Sequence, residues 1–318
     1  MTSKNTKTIM LFALFCSFFF SVIIRAQYNP NKNYDLHPPL KIPLVLAGNF
    51  GELRSNHFHT GLDFKTNRKE GYKIYSIADG YVSRIKVSPW GYGHVIYITH
   101  YNGLLSVYAH CSGFIGEIKE LVESQQSKQQ NFAFEYYPAK DSLKVSRGQA
   151  IALSGNTGGS TAPHLHFEIR DAITEEAINP MLFGFEISDT RKPLIRGVKV
   201  YGLTAEGYRI PHKSRTLNTF GGNGKYQVSG NKIVIPANYG SLQGGIGFAF
   251  DAVDQLDAAD NICGIFQAIL LVNGDTIFKQ DMTRIAFESN RYINCHKDYE
   301  AYHGQRKHFH KAFKTIHN

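Results

Sequence analysis

At 318 residues, 42% hydrophobic and 19% charged, the chain has a globular composition and a length suited to about two domains, which excludes a disordered polypeptide. Its 29 glycines, 22 phenylalanines and 18 tyrosines favour strands and turns over helices. The formal charge of +9 drops to +6 (32 basic against 26 acidic residues) if Lys4, Lys7 and Arg25 leave with an N-terminal segment; with no clustered Lys/Arg stripe, no nucleic-acid partner is expected.

Lys4 and Lys7 precede a run without charge from Ile9 to Ile24, and the small residue Ala26 follows it. That pattern predicts an export signal over residues 1–26, because the run is short for a bilayer-spanning helix. Left uncleaved, the same segment would anchor the chain, and membrane contact is expected only in that case. An exported, basic protein of the periplasm or cell envelope meets cell-wall polymer first. The remaining cysteines, Cys111, Cys263 and Cys295, lack the spacing of a disulfide framework. One must stay unpaired, and a Cys263–Cys295 bridge is allowed.

Residues 27–48, marked by Pro30, Pro38, Pro39 and Pro43, read as an extended lead-in. From 49 to 184 short strands alternate with glycine turns. "HVIYITH" and "LLSVYAHC" flank Tyr101-Asn102-Gly103, a strong hairpin signal. Alternation in the second strand puts Ser106, Tyr108 and His110 on one, polar face and Cys111 in the core. Residues 113–142 interrupt the pattern as an insertion, with Ile118, Leu121 and Val122 on one side of a helix-forming stretch. A composition shift at about 185–195 suggests a linker. Residues 190–295 then alternate again around Asn273-Gly274, which favours a small β-sandwich of immunoglobulin or fibronectin type. Residues 296–318 are basic and read as an incomplete element. The expected fold is therefore mainly β, an antiparallel domain followed by a sandwich.

In "GNTGGSTAPHLHFEIR", residues 155–170, Leu165, Phe167 and Ile169 share one strand face, and His164, His166, Glu168 and Arg170 share the other, read as an open floor. Two imidazoles at i, i+2 suit a metal site, or a ligand beside an acid/base group, but a solvated polar face has the same pattern. Upstream, His59 and Asp63 of "GELRSNHFHTGLDF" would lie roughly 13 Å apart on a straight strand, so a shared metal requires a bend at Gly61. Two histidines, a carboxylate and a water form a catalytic zinc set rather than a closed structural site. Histidines left over could take the proton of that water or stabilise an oxyanion.

Three ordered stretches, "HTGLDF", "YAHC" and "GNTGGSTAPHLHFEIR", resemble the signatures of the lysostaphin/LytM-type zinc endopeptidases, and "YSIADGYVSRI", "GYGHVIYITH" and "VSRGQAIALSGNTG" are similar to that family's connecting strands. The resemblance covers roughly residues 49–184. It implies one Zn2+ held by His59, Asp63 and His166, His110 and His164 as the catalytic pair around its water, and peptidoglycan peptides as substrate. Cys111 stands where leucine is usual, and the insertion lengthens one connection. In some relatives an upstream asparagine fills the fourth zinc position, which points here to Asn49 or Asn56, with Arg54 nearby.

His57 lacks the matching aspartate and reads as a surface or supporting residue; His94 and His100 read as structural. Asp251, Asp254, Asp257 and Asp260 lack calcium-loop spacing and read as a solvated turn. His110 and Cys111, adjacent on a strand, cannot act as base and nucleophile. The competing functional reading is a non-catalytic wall-binding regulator on the same fold. In a third, the C-terminal sandwich docks a protein or wall partner.

Overall fold

The computed structural model of the chain describes residues 33–228 and 245–314. Residues 1–26, expected to direct export, lie outside them. The larger sheet is antiparallel and orders its strands Leu46–Gly48, Leu62–Lys65, His164–Asp171, Leu104–Cys111, His94–His100, Gly80–Val87 and Phe134–Tyr136. A smaller sheet joins Lys73–Tyr75, Ala150–Leu153 and Gly113–Phe114. One core draws on both, with Ile74 and Ile151 from the small sheet and Leu165, Phe167 and Ile169 from the large one, all fully buried. Burial of each such side chain stabilises the fold by about 1.5–3 kcal/mol.

The expected hairpin spans the strands His94–His100 and Leu104–Cys111, and Gly103 turns it at φ 91°. Within the insertion, the helix Glu117–Gln129 buries Ile118 and Val122, with Leu121 packed beside them. The strand Phe134–Tyr136 then pairs with Gly80–Val87, so the insertion covers an edge of the large sheet.

Residues 184–193 run without regular structure into a five-stranded antiparallel sheet, ordered Lys225–Val228, Arg209–Gly222, Leu194–Leu203, Ile246–Val253 and Phe309–Lys311. The hairpin Gln267–Val272/Asp275–Asp281 stands apart from it, turned by Asn273 and Gly274 at positive φ (54° and 95°). Among the described residues, Tyr201, Leu203, Ala249 and Phe309 pack against Ala301 of the helix Tyr299–Gln305. Cys111, Cys263 and Cys295 are all free, so the allowed Cys263–Cys295 bridge is not formed. No helix among the described residues is long and apolar enough to cross a membrane.

The C-terminal part also completes the larger sheet. Arg284–Ile285 pairs with Ala177–Ile178, which pairs with the His164–Asp171 strand. Arg284 reaches Glu176 (2.8 Å) and Asp171 (3.5 Å).

Candidate metal centre

The strand Leu62–Lys65 lies beside His164–Asp171 in a register that sets Asp63 opposite His166. The chain bends at Gly61 and brings His59 back over the same spot. Glycine is required there for a different reason than the one expected. Its φ is not left-handed; instead a Cβ would sit 2.5 Å from the Phe167 carbonyl oxygen and 3.0 Å from His166 Cε1. The expected bend therefore occurs, and close approach to the neighbouring strand explains the glycine.

His59 Nε2, Asp63 Oδ1 and His166 Nδ1 converge, with separations of 3.1, 3.1 and 2.9 Å. His59 Nδ1–H donates to the Asn49 carbonyl at 2.7 Å, which leaves Nε2 a bare lone pair. His166 Nε2 faces Glu168 Oε1 at 2.8 Å, and donation there leaves its Nδ1 equally bare. Three electron-rich atoms so close repel unless a cation sits among them. A proton on His166 can serve; so can a metal ion, and these three buried residues could hold one. Burial alone would lower the His166 pKa, but hydrogen bonds to Asp63 and Glu168 outweigh it and raise it to about 9. Burial likewise opposes ionisation of Asp63, yet the field of His59 and hydrogen bonds with His164 and His166 hold its carboxyl well below the usual range.

The polar face of the His164–Asp171 strand is not an open floor. His166, Glu168 and Arg170 are buried, and only His164 is partly exposed. Val95, Tyr97, Leu105, Val107 and Ala109 form a second apolar cluster on this side of the sheet, with Tyr92 packed against it. Glu168 survives there because donors surround it: His166, Thr60 Oγ1 (2.8 Å), the Tyr92 hydroxyl and Arg170 Nε (2.6 Å). Burial pushes its pKa up, but the Arg170 guanidinium and the hydrogen bonds hold it far below the carboxylate range.

His110 reaches the centre by a backbone irregularity. Strict alternation would place it with Tyr108, which is fully buried in the main core, so that face is not the polar one expected. His110 instead adopts φ 58°, rare for a non-glycine residue, where the register with His94–His100 shifts. Its ring lies 4.8 Å from that of His164 and 5.9 Å from that of His166, while Cys111 turns into the main core as expected. Such strained residues persist where surrounding structure over-determines them. Nδ1–H of His110 donates to the Thr157 carbonyl (2.8 Å), and Nδ1–H of His164 to the Ala162 carbonyl (2.8 Å). His110 keeps Nε2 free, whereas that of His164 faces Asp63 Oδ1 at 3.5 Å. Burial, then the neighbouring histidines, push the His110 pKa down to about 4. The Thr157 loop packs tightly on residues 91–93; a Cβ on Gly158 would meet Gly93 N at 2.3 Å.

The structure thus brings together all five histidine and aspartate residues singled out in the sequence. The other candidates lie elsewhere. His57 bonds to Asn56 Oδ1, His100 to Ser106 Oγ, and His94 stacks on Phe114. Neither upstream asparagine side chain is bonded to a ligand atom: Asn49's amide is held by Gly264 and Asn56's by His57. Arg54 does reach the centre, donating to Asp63 Oδ2 at 2.9 Å. Asp251 pairs with Arg196, and Asp257 accepts from Thr190, so the aspartate run has structural work. Reasoning from sequence missed Glu168, Thr60 and Tyr92 as supports. The Glu168–Arg170 alternation was visible, but their burial was not.

Residues 57–129 and 128–180 match peptidase family M23. The DD-carboxypeptidase/endopeptidase Mpg of Neisseria meningitidis serogroup B (strain ATCC 13091 / M2091) is 32% identical over 129 residues, 41% of this chain and 23% of that protein. The peptidoglycan DD-endopeptidase ShyA of Vibrio cholerae is 36% identical over 111 residues, 35% of this chain and 20% of that protein. This chain therefore spans less than a quarter of the length of either relative (23% and 20%). The solved catalytic domain of lysostaphin from Staphylococcus simulans aligns at 25% identity with a TM-score of 0.33, over 44% of this chain and 91% of that one. The similarity to peptidase family M23 thus runs through residues 57–180, the stretch that carries His59, Asp63, His110, His164 and His166.

Proposed function

We propose that the chain is an exported zinc metalloendopeptidase that hydrolyses peptide cross-links or stem peptides of bacterial peptidoglycan. The observation that carries this reading is the convergence of three lone-pair atoms within 3.1 Å, flanked by His110 and His164, each fixed through Nδ1 by a backbone carbonyl. The donor set of two imidazole nitrogens and one carboxylate oxygen fits Zn2+, one per chain, with His59, Asp63 and His166 as ligands. Bound there, zinc would polarise the scissile carbonyl and supply a water that ionises near neutral pH.

This chain's residues do the rest. His110, kept neutral by burial, has the lone pair needed to accept a proton from the attacking water, and the Thr157 carbonyl fixes its tautomer. His164, held through Nδ1–H by the Ala162 carbonyl, stands beside it and in its doubly protonated form donates Nε2–H to the oxyanion that develops on the substrate carbonyl. Glu168 holds the ring of His166 through Nε2. The names of Mpg and ShyA support a DD cross-link as the bond cut.

Export to the cell envelope and a division into a peptidase domain (49–184) and a following domain (from about 190) belong to the same reading. They rest on the run Ile9–Ile24 and the segment 184–193 without regular structure. A non-catalytic wall-binding role is disfavoured because every residue the chemistry needs is present and oriented. The test is mass spectrometry of purified peptidoglycan incubated with the protein, with His166→Ala as control. Cross-links cleaved by the parent alone support the reading; zinc-loaded parent that leaves the polymer intact moves the regulator ahead.

A further inference from the structure

Two of the three converging residues are held by chain that lies outside the family match. His59 Nδ1–H donates to the Asn49 carbonyl, and the Asn49 side chain is locked in both directions onto Gly264: Nδ2 donates to its carbonyl and its N–H donates to Oδ1, each at 2.8 Å. Asp63 Oδ2 accepts from Arg54, and the fully buried Lys297 donates its ammonium to the carbonyls of Arg54 (3.3 Å) and Ser55 (2.7 Å). Between these two lines Phe58 N–H donates to Asn290 Oδ1 (2.8 Å), and the Met282 side chain fills the space where Gly51 has no Cβ.

We infer that residues 261–298 are a positioning element of the metal centre. One line runs from Gly264 through Asn49 to His59, the other from Lys297 through Arg54 to Asp63. The inference rests on the metal-centre reading and adds to it a partner segment more than 200 residues downstream (separations of 215 for Asn49–Gly264 and 243 for Lys297–Arg54). None of these four residues touches the substrate or the metal. Asn49 and Arg54 hold a second atom of His59 and of Asp63, the kind of contact whose loss typically weakens metal binding by about 10–100-fold, and Gly264 and Lys297 hold those two residues in turn. Charge supports the assignment as well. A fully buried lysine that offers its protons to two backbone carbonyls organises the loop it caps, because its burial is otherwise costly.

The test uses the full chain, stripped of metal. Zn2+ affinity is measured by competition with a chelator, and Co2+ substitution is followed by visible absorption, whose bands report ligand geometry. Asn49→Ala and Lys297→Met are compared with the parent and with Leu203→Ala, which weakens the C-terminal core away from the loop. Expected is Zn2+ binding weaker by about tenfold or more in each of the two variants, with altered Co2+ bands, and parental values in Leu203→Ala. Parental affinity and bands in Asn49→Ala would overturn the inference, even if Lys297→Met failed to fold. Equal loss in Leu203→Ala would also overturn it, since general destabilisation would then account for the effect. A parent that binds neither ion overturns the metal-centre reading and this one with it; tight binding by parent and variants alike overturns this one alone.

Discussion

Glu168→Gln tests how the buried floor beneath the centre is held. Glu168 is fully buried, and the Arg170 guanidinium meets it at 2.5 Å with 3% of its side chain exposed. The substitution keeps volume and removes only the charge. Arg170 then retains Glu175, 3.6 Å away and largely in solvent, and its stacking on Phe287 at 4.4 Å. Neither replaces a buried carboxylate. Breaking a buried pair from one side costs about 3–5 kcal/mol, a large part of the roughly 5–15 kcal/mol that holds a domain folded. The double variant Glu168→Gln/Arg170→Met removes the stranded charge with it and should recover most of that loss. Urea unfolding of the parent, both single variants and the double variant at pH 7 closes the cycle, with an expected coupling of about 2 kcal/mol or more. Losses that simply add would refute the reasoning and would mean that Tyr92, Thr60 and His166 carry Glu168 without the arginine.

His110→Ala should leave Zn2+ binding intact and lower kcat on peptidoglycan fragments by about 10²–10⁴-fold; unchanged turnover would remove His110 from the chemistry. Without metal His166 is raised to about 9 from its ordinary 6.5, so metal must displace a proton. Apparent Zn2+ affinity should climb by about tenfold per pH unit toward pH 9 and then level, and calorimetry in buffers of different ionisation enthalpy should register about one proton released. The same raised pKa stabilises the metal-free fold fully below pH 6.5, a contribution lost as pH rises through 9, which urea midpoints would show. Gly61→Ala drives a Cβ to 2.5 Å from the Phe167 carbonyl and should cost about 1–3 kcal/mol and most of the metal affinity; a well-folded, metal-tight variant would contradict the close-approach account.

Much of this centre was legible in the sequence because its residues sit on short strands with clear alternation. Leu165, Phe167 and Ile169 declare the buried face, and the hairpin at Asn102-Gly103 fixes where His94–His100 and Leu104–Cys111 begin and end. His110 shows where alternation fails: one left-handed residue reverses the faces of everything after it, and no local residue type announces that. The open floor failed for another reason. Polarity along a strand says which side a residue takes, whereas burial depends on what packs over that side, here Tyr92 and the apolar cluster about Val107. Alternating strands with turn signals fit any antiparallel sheet, so they could not foretell the helix Tyr299–Gln305 that packs on this one and lies in a stretch read only as basic. The bonds of Asn49 with Gly264 and of Lys297 with Ser55 were invisible for a simpler reason: each has a backbone group at one end, and backbone groups leave no signature in side-chain patterns.

Those bonds also impose an order in time. A chain made from its N-terminus presents Asn49 long before Gly264, 215 residues later, exists to meet it. At about 5–20 residues per second the wait is on the order of 10–40 s. Once His166 is made, 107 residues after His59, the two histidine signatures can pair, while the turn that aims His59 still lacks its anchor. The centre is consequently unfinished until Gly264 and Lys297 have been made, and an ion offered earlier meets a site whose His59 turn is not yet anchored.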